Sequence, residues 1–125
     1  MDGKRREDPP QITTHVCAAE RTEFETYANA FGLDAAGLLA LLLAREQRVG
    51  RLAALLDIDE PANATRDSKI TVHGRDADLR GGIACAAVEA KTSVSRACAV
   101  LMRAELRERW LERSISTRFE SNEAR

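Results

Sequence analysis

The chain is 125 residues long, 44% apolar, 31% charged and 4% aromatic, a length and balance suited to one small domain. Its longest apolar run, Leu38 to Ala44, is far short of a membrane span, and the charged start leading into Pro9-Pro10 lacks the apolar stretch of a secretory signal. The net charge of −1, from 19 basic and 20 acidic residues, taken whole argues weakly against a nucleic-acid partner.

The distribution of charge is less neutral than its sum. Residues 1–60 hold 7 basic and 11 acidic groups, a net of −4, whereas residues 61–125 hold 12 and 9, a net of +3. Sixteen of the cations are Arg, which suits planar pairing with carboxylate or phosphate. Three cysteines (Cys17, Cys85, Cys98) sit in Ala-rich surroundings without CxxC spacing, which argues for free buried thiols in a reducing, cytoplasmic setting.

In chain order, residues 1–10 read as a flexible charged lead. Gln11 to Val16 is short, β-branched and alternating, as a half-solvated strand requires. From Ala19 to Phe31 the large side chains Phe24, Tyr27, Ala28 and Phe31 share one helical face, and Gly32 is a natural helix stop. Asp34 then caps a second helix whose stripe runs Leu38, Leu41, Leu42, Arg45, Val49, Leu52 and Leu56. Residues 57–67 are polar, contain Pro61 and show no period, so they read as a linker. Ile70-Thr71-Val72-His73 is a second alternating segment. Asp78 to Ala90 is helical by the spacing of Leu79, Ile83, Ala86, Ala87 and Ala90, and Ser93 caps a last helix from Val94 to about Ile115. Residues 116–125 form a tail.

The order strand, helix, helix thus occurs twice. Ile12-Thr13-Thr14-His15 matches Ile70-Thr71-Val72-His73 at an offset of 58, and beyond it an offset of 59 sets Phe24 on Ile83, Ala28 on Ala87 and Asp34 on Ser93. One such unit, 11–56 or 68–115, leaves its strand with two bare edges and buries little apolar surface. Two units together pair their strands as one antiparallel ribbon and close four helices over its apolar face. The expected class is mainly α with a single two-stranded ribbon, a four-helix pseudo-dimer within one chain.

The second copy, Lys69-Ile70-Thr71-Val72-His73 followed by a helix and then Thr92-Ser93-Val94-Ser95-Arg96, resembles the ribbon-helix-helix family of DNA-binding proteins. The first copy, Gln11-Ile12-Thr13-Thr14-His15-Val16 with Gly32-Leu33-Asp34, is a looser match. The doubled arrangement is similar to the tandem single-chain members that serve conjugative DNA processing and Ti-plasmid T-DNA transfer, including TraY-type relaxosome proteins. The resemblance implies a double-stranded DNA partner, a monomeric pseudo-dimer, and a place beside a relaxase or other DNA-processing protein. An autoregulatory repressor is the near relative within the family. Lys91 stands where the family has glycine, a departure that puts the turn before the last helix in question.

Alternation turns Ile12, Thr14, Val16, Ile70 and Val72 inward and leaves Gln11, Thr13, His15, Lys69, Thr71 and His73 outward. A two-stranded ribbon fits the major groove, where Gln reads adenine, Lys reads guanine and Thr meets a base edge or a thymine methyl. The family places its base-reading side chains on these same strand positions. The start of the last helix, Ser93, Val94, Ser95 and Arg96, offers free N–H groups and a cation for a phosphate. Its counterpart in the first copy is Asp34, Ala35, Ala36 and Gly37, where a carboxylate opposes one.

The remaining features read as structural. Arg103, Arg107, Arg109 and Arg113 interleaved with Glu105, Glu108 and Glu112 look like a solvated, salt-bridged helix face, with Trp110 packing beside Leu106. Cys85 and Cys98 look like core filling. His15 and His73 have no Cys or carboxylate at ligand spacing, so no metal or other cofactor is expected. No phosphate loop, nucleophile elbow, HExxH or carboxylate pair is present, so the chain reads as a binding protein and not an enzyme. The rival to DNA binding is a protein-interaction module, an antitoxin or anti-activator, which the acidic first half favours.

Overall fold

A computed structural model describes residues 11–59, 65–73 and 77–115. The expected lead, the tail and the middle of the expected linker lie outside these residues. The elements are β1 (Gln11–Val16), α1 (Ala18–Asn29), α2 (Ala35–Val49), α3 (Leu52–Ile58), β2 (Ser68–His73), α4 (Ala77–Glu89) and α5 (Val94–Glu108), followed by α6 at 110–115. The protein is therefore mainly helical around one two-stranded sheet.

β1 and β2 pair antiparallel with Gln11 opposite His73, Thr13 opposite Thr71 and His15 opposite Lys69. The period of two drives one face of this ribbon into the core: Ile12, Thr14, Val16, Ile70 and Val72 are all buried. There the four apolar ones join Phe24, Leu38, Leu39, Leu43, Val100 and Met102 in one hydrophobic cluster. The inward residues are the ones that alternation selects.

Burying Thr14 completely requires a partner for its hydroxyl, and it donates to the Ser95 carbonyl at 2.6 Å. The Ser95 hydroxyl in turn accepts the His15 N–H at 3.1 Å, so the first turn of α5 is stitched to β1.

Helix ends recur at an offset of 59 residues. Asp34 accepts from the Gly37 N–H at 2.7 Å and Ser93 from the Arg96 N–H at 3.0 Å, the two caps expected from sequence. Ahead of them, Leu33 N–H bonds to the Ala28 carbonyl at 3.1 Å and Thr92 N–H to that of Ala87 at 2.9 Å. Both turns pass through left-handed backbone, at Gly32 (φ 79°) and at Lys91 (φ 62°). The turn that Lys91 put in question keeps its geometry, with a lysine in a conformation that costs a side chain about 1 kcal/mol.

Two expected helices are shorter than their stripes predict. The second was expected to continue to Leu56, but Gly50 adopts φ 61° and ends α2, and α3 restarts at Leu52. Leu41 and Val49, expected on the buried stripe, are exposed, while Ala35, Leu39, Leu43 and Glu46 are buried instead. The last helix was expected to continue to Ile115, but Arg109 takes φ 54° and divides it after Glu108.

At both breaks a buried glutamate, four residues ahead, satisfies the N–H of the next segment. Glu46 accepts from Leu52 N–H and Glu105 from Leu111 N–H, each at 2.8 Å. A side-chain carboxylate thereby replaces the partner that an unbroken helix would supply.

The charged face expected on the last helix holds in part: Arg107, Arg109 and Arg113 are exposed and Arg109 pairs with Glu112, but Arg103, Glu105 and Glu108 turn to partners on other elements. Glu105 is only 2% exposed and accepts a 2.6 Å hydrogen bond from the Tyr27 hydroxyl. Burial and this bond hold the phenol well above its ordinary pKa, so it remains a donor. Arg103 grips Asp59 through Nε and Nη2 at 2.8 and 2.9 Å and reaches Glu20 at 3.2 Å. Glu108 makes a two-pronged pair with Arg51 at 2.8 and 2.9 Å. These residues join elements instead of covering a solvated surface. Trp110 packs against the core with the Arg45 guanidinium over its ring at 4.3 Å. Of the thiols, Cys98 is buried as expected, whereas Cys85 is exposed and Cys17 only partly covered. Cys85 lies on the outer side of α4, so it fills no core.

Candidate nucleic-acid interface

The outer face of the ribbon carries all six side chains singled out from sequence. Gln11, His15, Lys69 and His73 are exposed, and Thr13 and Thr71 at the centre are partly so. Their arrangement follows from the register. Thr13 and Thr71 face each other with hydroxyls 3.2 Å apart, His15 lies beside Lys69, and Gln11 Nε2 is 3.4 Å from His73 Nδ1. Three cross-strand pairs thus form one continuous row.

Chemically the row is rich in groups that donate and accept. Gln presents both functions, the Thr hydroxyls either, and Lys only donates. The Thr13 and Thr71 hydroxyls satisfy one another while each keeps capacity for a further partner. His15 and His73 sit on opposite ends of the row, four residues apart in register and therefore roughly 13 Å apart along the ribbon. They cannot share one metal ion. No cluster of three or more metal-binding side chains occurs among the described residues.

The start of α5 lies at the His15–Lys69 end of the ribbon, through the Ser95 bond to His15. Of the four residues expected to hold a phosphate, Ser93 is exposed, caps the helix through its hydroxyl oxygen and retains a hydroxyl hydrogen. Val94 is partly covered. Ser95 is turned toward the strand and used to attach it. Arg96 is exposed but has Asp59 3.6 Å from its guanidinium. Arg96 alone of the four projects a cation, and Asp59 draws it to the end of α3. The α2 start presents the exposed Asp34 at the equivalent place, as expected.

Two supporting contacts were not visible in the sequence. Arg80 of α4 donates from Nε to the Gln11 carbonyl at 3.1 Å, securing the far end of β1. Asp59 joins Arg103 to Arg96, and the Arg103 guanidinium beside it holds its carboxyl below the ordinary range. The only sequence signal for Asp59 was its place at the edge of an aperiodic stretch, which says nothing about its partner 44 residues later.

No described helix is long and apolar enough to cross a membrane. Comparison with models of protein families, with curated proteins and with solved structures gives no significant match.

Proposed function

We propose that the chain is a non-enzymatic, double-stranded-DNA-binding module whose two units, each a strand followed by helices, act as a single-chain ribbon-helix-helix pseudo-dimer. The observation that carries this reading is the exposed row Gln11, Thr13, His15, Lys69, Thr71 and His73 on one side of an antiparallel ribbon. A two-stranded ribbon has the width of the major groove, and these side chains are of the types that read base edges. The repeated caps and helix breaks at an offset of 59 support the two-unit description. Lys69, Arg96 and the net +3 of residues 61–125 supply attraction to phosphate. The role beside a relaxase in plasmid or T-DNA transfer rests on the family resemblance alone, and the cytoplasmic setting on the three free cysteines.

The acidic first half and Asp34 at the α2 start favour a second reading, a protein-interaction module on the same scaffold. Salt separates the two. A DNA binder loses duplex affinity steeply between about 50 and 200 mM salt through counterion release. Replacing Lys69, Thr71 and His73 together by alanine then weakens binding more than replacing Gln11, Thr13 and His15. Failure of micromolar protein to shift any duplex at low salt rules out the DNA reading and leaves the interaction module.

A further inference from the structure

An antiparallel strand pair has local two-fold symmetry about its centre. Here the centre is Thr13 opposite Thr71. A half-turn about it exchanges the strands, placing Gln11 on Lys69, Thr13 on Thr71 and His15 on His73. Two of these three exchanges preserve residue type. Of the six outward side chains, only Gln11 and Lys69 break the symmetry of the row.

We propose that the chain recognises a nearly palindromic duplex site whose halves differ at one base pair, an adenine read by Gln11 and a guanine read by Lys69. The inference rests on the DNA-binding reading. Gln matches the N6 and N7 edge of adenine, and Lys matches O6 and N7 of guanine. Both side chains are exposed and occupy matching outward places, two residues before their central threonines. Duplex DNA shares the local two-fold symmetry of the ribbon, so the matched Thr and His pairs read the two halves alike. The single mismatch gives the complex a polarity that a homodimeric ribbon lacks. Lys69 lies at the end of the ribbon attached to α5 and Gln11 at the end held by Arg80, so the guanine half faces the α5 start.

The test is enrichment of bound fragments from a randomised duplex pool, using the full chain and the reciprocal variants Gln11→Lys and Lys69→Gln. The wild type is expected to enrich two half-sites that differ at one symmetric position, A·T in one and G·C in the other. Gln11→Lys is expected to enrich a palindrome with G·C in both halves, and Lys69→Gln one with A·T in both. Each variant should prefer its own palindrome over the wild-type site by roughly tenfold. A wild-type site that is already palindromic, or a variant that retains the wild-type site, overturns the assignment. Salt-sensitive duplex binding without any enriched sequence overturns the assignment and leaves DNA binding standing. Absence of binding to any duplex overturns both. The two substitutions are independent and lie on exposed positions, so loss of folding in one leaves the other to decide.

Discussion

Glu46 and Glu105 occupy equivalent places at the two helix breaks, yet they carry different loads, and alanine substitution should reveal this. Glu105 accepts hydrogen bonds from the Tyr27 hydroxyl at 2.6 Å and the Leu111 N–H at 2.8 Å. Glu46 accepts the Leu52 N–H at 2.8 Å. A hydrogen bond to a charged acceptor contributes about 1.5–3 kcal/mol, and a buried donor left without a partner forfeits a comparable amount. Glu105→Ala should therefore destabilise by about 3–6 kcal/mol and Glu46→Ala by about 1.5–3, from the same contributions per bond. Against a total of about 5–15 kcal/mol for a domain, the first loss brings the fold close to its limit. Urea unfolding followed by far-ultraviolet circular dichroism gives both values from the midpoint and slope. Glu105→Gln keeps an acceptor and should lose about half as much as the alanine variant. A cycle of Tyr27→Phe with Glu105→Gln should show coupling of about 1 kcal/mol or more, as contacting residues do. Equal losses for Glu46→Ala and Glu105→Ala, or no coupling between Tyr27 and Glu105, would refute the account.

Three further outcomes follow from local chemistry. Arg103 holds the Asp59 carboxyl below its ordinary pKa, so the pair contributes fully above the unfolded carboxyl value near 3.9 and is lost as pH falls through the lower folded value. Asp59→Asn should cost about 2 kcal/mol at pH 7 and flatten the decline in stability below about pH 4, measured by thermal melts across that range. Lys91→Gly relieves a left-handed lysine and should stabilise by about 1 kcal/mol, whereas Gly32→Ala at the matching turn should destabilise by about as much. Calorimetric or denaturant unfolding of the two variants gives opposite signs if the turns are equivalent. Finally, burial pushes the Cys98 thiol up to about 12, so a thiol reagent at pH 8 should modify exposed Cys85 first and Cys98 only after unfolding, resolved by mass spectrometry of peptides.

The strands, their inward faces and both helix caps were legible because each depends on neighbours a few residues away. Alternation alone selected Ile12, Val16, Ile70 and Val72 for the core, and the outward row followed from the same period. The turn before α5 required more than a residue preference: lysine seldom takes φ 62°, and only the surrounding closure holds it there. The break at Arg109 left no glycine to announce it. The break at Gly50 was hidden by leucines whose spacing continues across it. In both places the buried carboxylate of Glu46 or Glu105 makes the break possible by taking the N–H that the interruption exposes.

The amino-acid sequence by itself determined the repeated strand and helix pattern, the two faces of each strand and the starts of α2 and α5, but not the breaks that open α3 and α6. These are consequences of periodicity and capping, which act within a turn or two of the chain. Only the tertiary structure decided the fate of the charges. Arg103 and Glu105 look like surface residues because their helix alternates sign, yet each is drawn inward by a partner far away in sequence, Asp59 and Tyr27. A charge is stable in the interior when its hydrogen bonds are completed there, and no local pattern reports whether a distant side chain will complete them. The ribbon shows the same division. Alternation sets each strand's outer residues, but the register that places Gln11 and Lys69 in matching positions about Thr13 and Thr71 arises only when the two strands pair.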